Sequence, residues 1–328
     1  MRSTITILSL AATAVQAYAG GYLVWIDDSF RGMALSSDGS TVVGEARING
    51  PQGAGYAWNR LSGMTTFRDI PGGRGIYGAM AVSRDGSVVV GSALRGGGGA
   101  EAYRWTKKVG TEVLTPLGEG SSYADDVSDD GSIIVGSSAG NAYRWTRKTG
   151  MVMLPGFAYS ANGISGDGTT IVGAGRFDGG LYACRWVKDG APEILGRLPG
   201  TRGSEAHDVS QDGSVVVGMM RNMQLKFDAF YWTREDGMQR IPGLNEAFCV
   251  SGDGMFIGGA SRGVAYVWNK SFGLQKLSDV LKQAGVPFSG KLTYVSGIEH
   301  IEGKLYVTGF GIPPTGGIAA FYAVIAPD

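Results

Sequence analysis

The sequence predicts an all-β fold, a seven-bladed β-propeller of four-stranded blades, and three observations carry that expectation. First, the stretch Val82-Ser83-Arg84-Asp85-Gly86-Ser87-Val88-Val89-Val90-Gly91 recurs at 35–44, 127–136, 164–173, 209–218 and 250–259, with a longer, degraded copy at 298–309. Second, the turn aspartates 38, 85, 130, 167, 212 and 253 stand 47, 45, 37, 45 and 41 residues apart, the elastic period of blade repeats. Third, each hairpin is followed by an aromatic segment and then a short apolar one, giving four strands per repeat. The seventh repeat offers only three strands. The N-terminal strand, residues 22–26, is expected to supply the fourth and close the ring, which also covers two exposed sheet edges.

Taken in order, residues 1–19 read as a signal peptide. Arg2 is a short basic start, 5–14 is apolar, and Ala17-Tyr18-Ala19 places small residues before a cleavage after Ala19. The apolar run is shorter than the ~20 residues a spanning helix needs. A single propeller domain, 20–328, secreted or periplasmic and without a membrane span, is therefore expected. Within each repeat, β-branched runs favour strands and Asp-Gly supplies the positive φ of a tight two-residue turn. The Ser before it can bond to turn backbone, and the repeat's last Gly implies a bend or a close backbone approach.

The aromatic strands fall at 55–58, 102–105, 142–145, 183–186, 229–232 and 265–268, and a Trp-less version falls at 320–322. Trp58, Trp105, Trp145, Trp186, Trp232 and Trp268 are assigned to packing between blades. Closing strands follow at 64–67, 112–114, 151–154, 193–195, 238–241 and 274–277. A helix over 278–284, capped by Ser278 or Asp279 and stopped by Gly285, separates the sixth and seventh repeats. Lys plus Arg and Asp plus Glu number 29 each, so no net field attracts nucleic acid or an anionic membrane. Cys184 and Cys249 belong to repeats four and six, too far apart to bridge, so two free buried thiols and no disulfide are expected.

The alternation of Ala-x-x-Val-Ser-x-Asp-Gly-Ser-Val-Val-Val-Gly with Ala-Phe/Tyr-Arg-Trp-Thr resembles the HAF repeats of predicted extracellular bacterial proteins. A Leu-rich short helix followed by Phe288-Ser289-Gly290-Lys291-Leu292-Thr293 is similar to the usual end of that family. The resemblance runs from about Tyr22 to Ile325 and departs in the seventh repeat, where Glu302-Gly303 replaces Asp-Gly and Trp is missing. It implies an exported propeller and hands over no catalytic residue.

Two constellations could carry chemistry. Before the hairpin Val, the innermost strands read Met33-Ala34, Met80-Ala81, Asp125-Asp126, Asn162-Gly163, His207-Asp208, Phe248-Cys249 and Ser296-Gly297. Asp125, Asp126, Asn162, His207 and Asp208 are thus expected to line one sector of the central channel. Paired carboxylates beside a histidine can do acid–base work, although polar residues of a wet channel also simply bind water. No spacing matches a metal motif, so neither metal nor cofactor is expected.

The second constellation is a face. Arg47, Arg95, Arg176, Arg221 and Arg262 follow the second strands, and Arg31, Arg74 and Arg202 lie in loops between blades. All of these loops share one side of a propeller. Guanidinium groups suit carboxylate or phosphate, and Tyr77 and Tyr159, with Tyr123, Phe157 and Phe177, could stack on sugar rings. Alternatively, the arginines pair with Glu45, Glu101, Asp178 or Glu205. The leading expectation is a monomeric, non-catalytic binding module for an acidic polysaccharide, a cell-envelope surface or another envelope protein. The alternatives are a carbohydrate-active hydrolase or lyase using the acidic sector, and a structural scaffold.

Overall fold

The hairpin turns organise the architecture. In the first, the Ser36 amide pairs with the Thr41 carbonyl and the Gly39 N–H closes on the Ser36 carbonyl, at 2.9 and 2.7 Å. The connection is therefore a four-residue Ser-x-Asp-Gly turn, not the two-residue turn expected from Asp-Gly. Gly39 takes φ +72° and Gly86 φ +73°, a left-handed conformation that glycine adopts without a Cβ penalty. The Ser36 hydroxyl donates to Asp38 (2.6 Å) and accepts the Thr41 N–H (2.9 Å), while Asp38 accepts the Ser40 N–H (2.9 Å). The same three bonds recur in the second turn and in the third. There, hydrogen bonds from Ser87 to Asp85, and from Ser128 to Asp130, hold the carboxyls below their ordinary pKa.

The computed structural model describes residues 20–28, 30–46, 53–68 and 73–326. The signal-peptide segment and Arg47 lie outside them, as do the side chains of Arg74 and Tyr77. The described strands form seven antiparallel four-stranded sheets in a ring. Blades 1 to 6 occupy 30–67, 73–113, 122–153, 158–194, 201–240 and 246–276, each with its strands in sequence order from the axis outward. Blade 7 combines Lys291–Ile301, Lys304–Ile312 and Ala319–Ile325 with the N-terminal strand Gly21–Asp28 as its outer member. The closing register pairs Tyr22 with Val324 and Trp25 with Phe321, supplying the one strand that the three-stranded last repeat lacks.

The repeat glycines are explained by close approach. A Cβ on Gly44, Gly91 or Gly136 would lie 1.8, 2.1 or 2.0 Å from the carbonyl oxygen of Arg31, Gly78 or Tyr123. Those same carbonyls accept the hydroxyls of Tyr56, Tyr103 and Tyr143 at 3.2, 3.1 and 2.9 Å. All three tyrosine rings are fully buried, each removing on the order of 150–250 Å² from water. The six tryptophans pack between blades as expected: Trp186 and Trp232 are buried, and Trp58, Trp105, Trp145 and Trp268 are half-buried against clusters shared by neighbouring blades. In blades 1, 2, 3 and 5 the residue two before the Trp, Tyr56, Tyr103, Tyr143 or Phe230, is fully buried. Neighbouring blades then share clusters such as Val43, Phe67, Ile76, Val82 and Tyr103 between blades 1 and 2.

Cys184 and Cys249 are free and buried. The helix spans Leu277–Gln283 and buries Leu277 and Leu281; its N-cap is Lys276, and neither Ser278 nor Asp279 caps it. Gly285, at φ +64°, ends it as expected. Among the described residues no helix is long and apolar enough to cross a membrane.

Candidate functional site

Each innermost strand carries an irregularity at the same place. The register slips between Gly32 and Ala34, Ala79 and Ala81, Ala124 and Asp126, and Ala161 and Gly163 in blades 1 to 4. It slips again between Ala206 and Asp208, Ala247 and Cys249, and Val295 and Gly297. Such a bulge leaves one residue unpaired and re-aims its side chain. The seven bulged residues are Met33, Met80, Asp125, Asn162, His207, Phe248 and Ser296, and all line a pocket of about 180 Å³ on the propeller axis. The whole polar sector read from the sequence is brought together there.

Three bulged side chains tie blade to blade. Asn162 donates to the Ala206 carbonyl (2.8 Å), His207 Nδ1 to that of Ala247 (2.9 Å) and Ser296 to that of Gly32 (2.7 Å). Asp126 and Asp208 do so one residue later. The channel-side N–H groups of an innermost strand have no neighbouring strand, and these carboxylates serve them. Asp126 accepts from Val127 and Ile164 at 2.7 and 2.8 Å. Asp208 accepts from Val209 and Val250 at the same distances. Both oxygens of each are thus engaged by backbone.

Toward the Asp-Gly turns the pocket has a floor. Arg84, Asp129, Gly166 and Gln211 each donate a backbone N–H to the next blade, at 3.0–3.1 Å. The chain ends where Gly252 donates to the Glu299 carboxylate (2.9 Å). Asp129 reaches across, accepting from Ser37 (2.7 Å), Arg84 (3.4 Å) and Gln211. Sequence reading missed Asp129, Gln211 and Glu299. The x of Ser-x-Asp-Gly looks like a mere turn position, although it lies two residues beyond the hairpin Val, and Glu299 sits in the degraded repeat.

Burial sets the electrostatics. It pushes Asp125 up to about 7, with Glu205 adding to the effect. Asp126 is raised well above the carboxylate range by burial and by Asp208. Burial raises Asp208 to about 6 against the opposing Val250 and Val209 N–H bonds, and raises Glu299 to about 8.

A second site lies between blades 4 and 5. Its arginines stand in strands, not in the expected loops: Arg176 in Thr170–Phe177, Arg202 in Thr201–Val209 and Arg221 in Val215–Asn222. Arg31 and Arg95 are likewise strand residues. Arg176, Arg202 and Arg221 line one cleft of about 570 Å³ with Leu181, Met219, Leu225, Phe227 and Glu205. The Arg176 guanidinium lies 4.8 Å from the centre of the Tyr159 ring, and that of Arg221 5.2 Å from that of Phe227. Among the described residues no carboxylate comes within ion-pair distance of these three arginines. Of the acids considered as partners, Asp178 pairs with Arg197 (3.1 Å) and Glu205 accepts from Asn162 (2.9 Å). Arg95 and Arg262 belong to blades 2 and 6, away from the cleft, and Arg262 sits in a left-handed turn (φ 51°).

No family model and no curated protein matches the chain. Solved structures match its fold. Oligogalacturonate lyase from Vibrio parahaemolyticus superposes with TM-score 0.56 at 12% identity, over 93% of this chain and 92% of that one. The β-propeller domain of the Trilobed protease from Pyrococcus furiosus gives 0.53 at 13% identity, over 92% and 95%. That domain is described as having an open velcro topology, whereas the present ring is closed by its N-terminal strand. Putative TolB from Agrobacterium tumefaciens gives 0.51 at 17% identity, over 69% and 89%. The chain spans 54% of TolB from Acinetobacter baumannii. At these identities the likeness is one of fold.

Proposed function

We propose that this propeller is an exported, non-catalytic binding module that holds an acidic glycan in the cleft between blades 4 and 5. One observation carries the reading: Arg176, Arg202 and Arg221 converge on a cleft without a carboxylate partner among the described residues. Two of the three are backed by aromatic rings. A guanidinium held over a ring keeps its edge free, and that edge matches a carboxylate bidentately. The apolar wall of Leu181, Leu225 and Phe227 offers a surface for the face of a sugar. The named substrate of the lyase with the same fold is an acidic oligosaccharide, which accords with a uronate ligand here. The signal-like segment 1–19 and the HAF-like repeats support export.

An array of acidic and neutral polysaccharides, probed at low and moderate salt, tests the reading. Salt-sensitive retention on polyuronates, lost in an Arg176→Ala/Arg221→Ala variant, is the expected result. Equal retention of the variant, or retention on neutral glycans alone, overturns it.

A further inference from the structure

The axial pocket is more anionic than its own bonding uses. Asp125, Asp126, Asp129, Asp208 and Glu299 line it, and no Lys or Arg does. Four of these carboxylates accept hydrogen bonds from the protein, Asp126 and Asp208 from backbone pairs, Asp129 from three side chains and Glu299 from Gly252. Asp125 does not. It occupies in blade 3 the bulge from which Asn162, His207 and Ser296 donate to the next blade, but an ionised carboxylate has no hydrogen to give. Among the described residues nothing donates to it. The titratable groups around it are Asp126 on its own strand, Tyr143 in its own blade, and Glu205, His207 and Asp208 of blade 5. The Tyr143 hydroxyl is already committed to the Tyr123 carbonyl at 2.9 Å.

One part of the pocket wall is apolar, beside the polar Asn162, His207, Gln211 and Ser296. Met33, Met80 and Phe248 project from the other bulges, and the Phe248 ring stacks on His207 with centroids 6.0 Å apart and planes 8° off parallel. A divalent ion needs several converging ligands, and no such group occurs among the described residues. An organic ammonium needs one strong anionic anchor and a soft wall for its carbons, and aromatic and thioether groups supply that wall. A volume of about 180 Å³ equals roughly six waters at the bulk-water share, which suits a small amine and not a peptide.

We propose that the axial pocket binds a small organic cation carrying a primary ammonium group, with Asp125 as the charge anchor and Phe248, Met33 and Met80 around the carbon chain. This site is separate from the arginine cleft and does not depend on it.

Titration calorimetry of the purified protein with putrescine tests the assignment. Saturable binding is expected at pH 8, where Asp125, titrating at about 7, is ionised. The affinity should fall roughly tenfold by pH 6 as that carboxyl takes up a proton. Asp125→Asn should weaken putrescine at least about tenfold while leaving the folded state, read by circular dichroism, and glycan retention in place. Arg176→Ala/Arg221→Ala should leave putrescine binding unchanged. Three results each overturn the assignment: no saturable binding at pH 8, an unaltered affinity in Asp125→Asn, or displacement of putrescine by equimolar Ca²⁺ or Mg²⁺. In Asp125→Asn, a higher melting temperature with no putrescine binding in the parent protein would instead mark Asp125 as a protonated link to the next blade.

Discussion

The axial pocket and the arginine cleft are built from the same repeat, and Glu205 of the cleft accepts a hydrogen bond from Asn162 of the pocket, yet they treat charge in opposite ways. In the pocket most of the charge is used by the structure: Asp126 and Asp208 each serve two backbone N–H groups that a sheet edge leaves without partners. In the cleft two of the three arginines, Arg176 and Arg221, are backed by rings, and all three are left without carboxylate partners among the described residues. A propeller's innermost strands must satisfy their own edges, so polar side chains there are first a structural solution. Arg176, Arg202 and Arg221, near the ends of their strands, serve no such edge, so unpaired charge there is available to a ligand.

That contrast can be broken most forcefully at Asp208. Asp208→Ala strands two N–H groups and is expected to lower stability by roughly 2–4 kcal/mol, whereas Arg221→Ala should change it by less than about 0.5 kcal/mol. Guanidinium chloride unfolding measures both, and equal losses would erase the distinction. Next in size is the cleft itself. Arg176→Ala/Arg221→Ala removes two charge-assisted contacts and should weaken a polyuronate roughly a hundredfold, read by affinity electrophoresis, with folding intact.

A pH series sharpens the comparison further. The pocket carboxyls have folded pKa values raised to about 7 for Asp125, 6 for Asp208 and 8 for Glu299, against roughly 4 when unfolded. The native state therefore holds protons that the unfolded chain has released. Stability is greatest on the acid side of this window and should fall by several kcal/mol between pH 5 and 8. The turn aspartates, with lowered pKa, act in the reverse sense, but that contribution is lost only below about pH 4. Asp125→Asn should flatten the slope and the arginine variant should leave it as it is. The smallest effect belongs to Arg262→Ala, on blade 6, which should shift glycan affinity less than about twofold if binding is confined to the cleft.

Much of the fold was legible because the signals were local and repeated. The hairpin strings, the Ala-aromatic-x-Trp strands and the strand deficit of the seventh repeat lead to seven closed blades without any long-range information. The turn type was misjudged because Asp-Gly alone does not reveal that Gly39 closes on the Ser36 carbonyl while the buried Ser36 hydroxyl bonds Asp38 and Thr41. The polar sector was readable by aligning repeats, but the bulge that aims it at the axis depends on pairing with the second strand. Asp129 and Glu299 were hidden because their partners come from other blades, Ser37, Arg84 and Gln211 for Asp129 and Gly252 for Glu299. The arginines were read as a whole face. Only the packing of blade 4 against blade 5 selects Arg176, Arg202 and Arg221 from that face and leaves Arg95 and Arg262 aside.

The cleft reading turns on planar guanidinium recognition, not on positive charge as such, and a charge-conserving substitution separates the two. Titration calorimetry of a uronate oligosaccharide against the native protein and Arg176→Lys/Arg221→Lys is the most direct measurement. A lysine keeps the charge and loses both the ring-backed geometry and the bidentate edge, so a loss of at least about tenfold is predicted. A lysine variant that binds as tightly as the native protein would contradict a built arginine cleft and leave only diffuse electrostatic attraction.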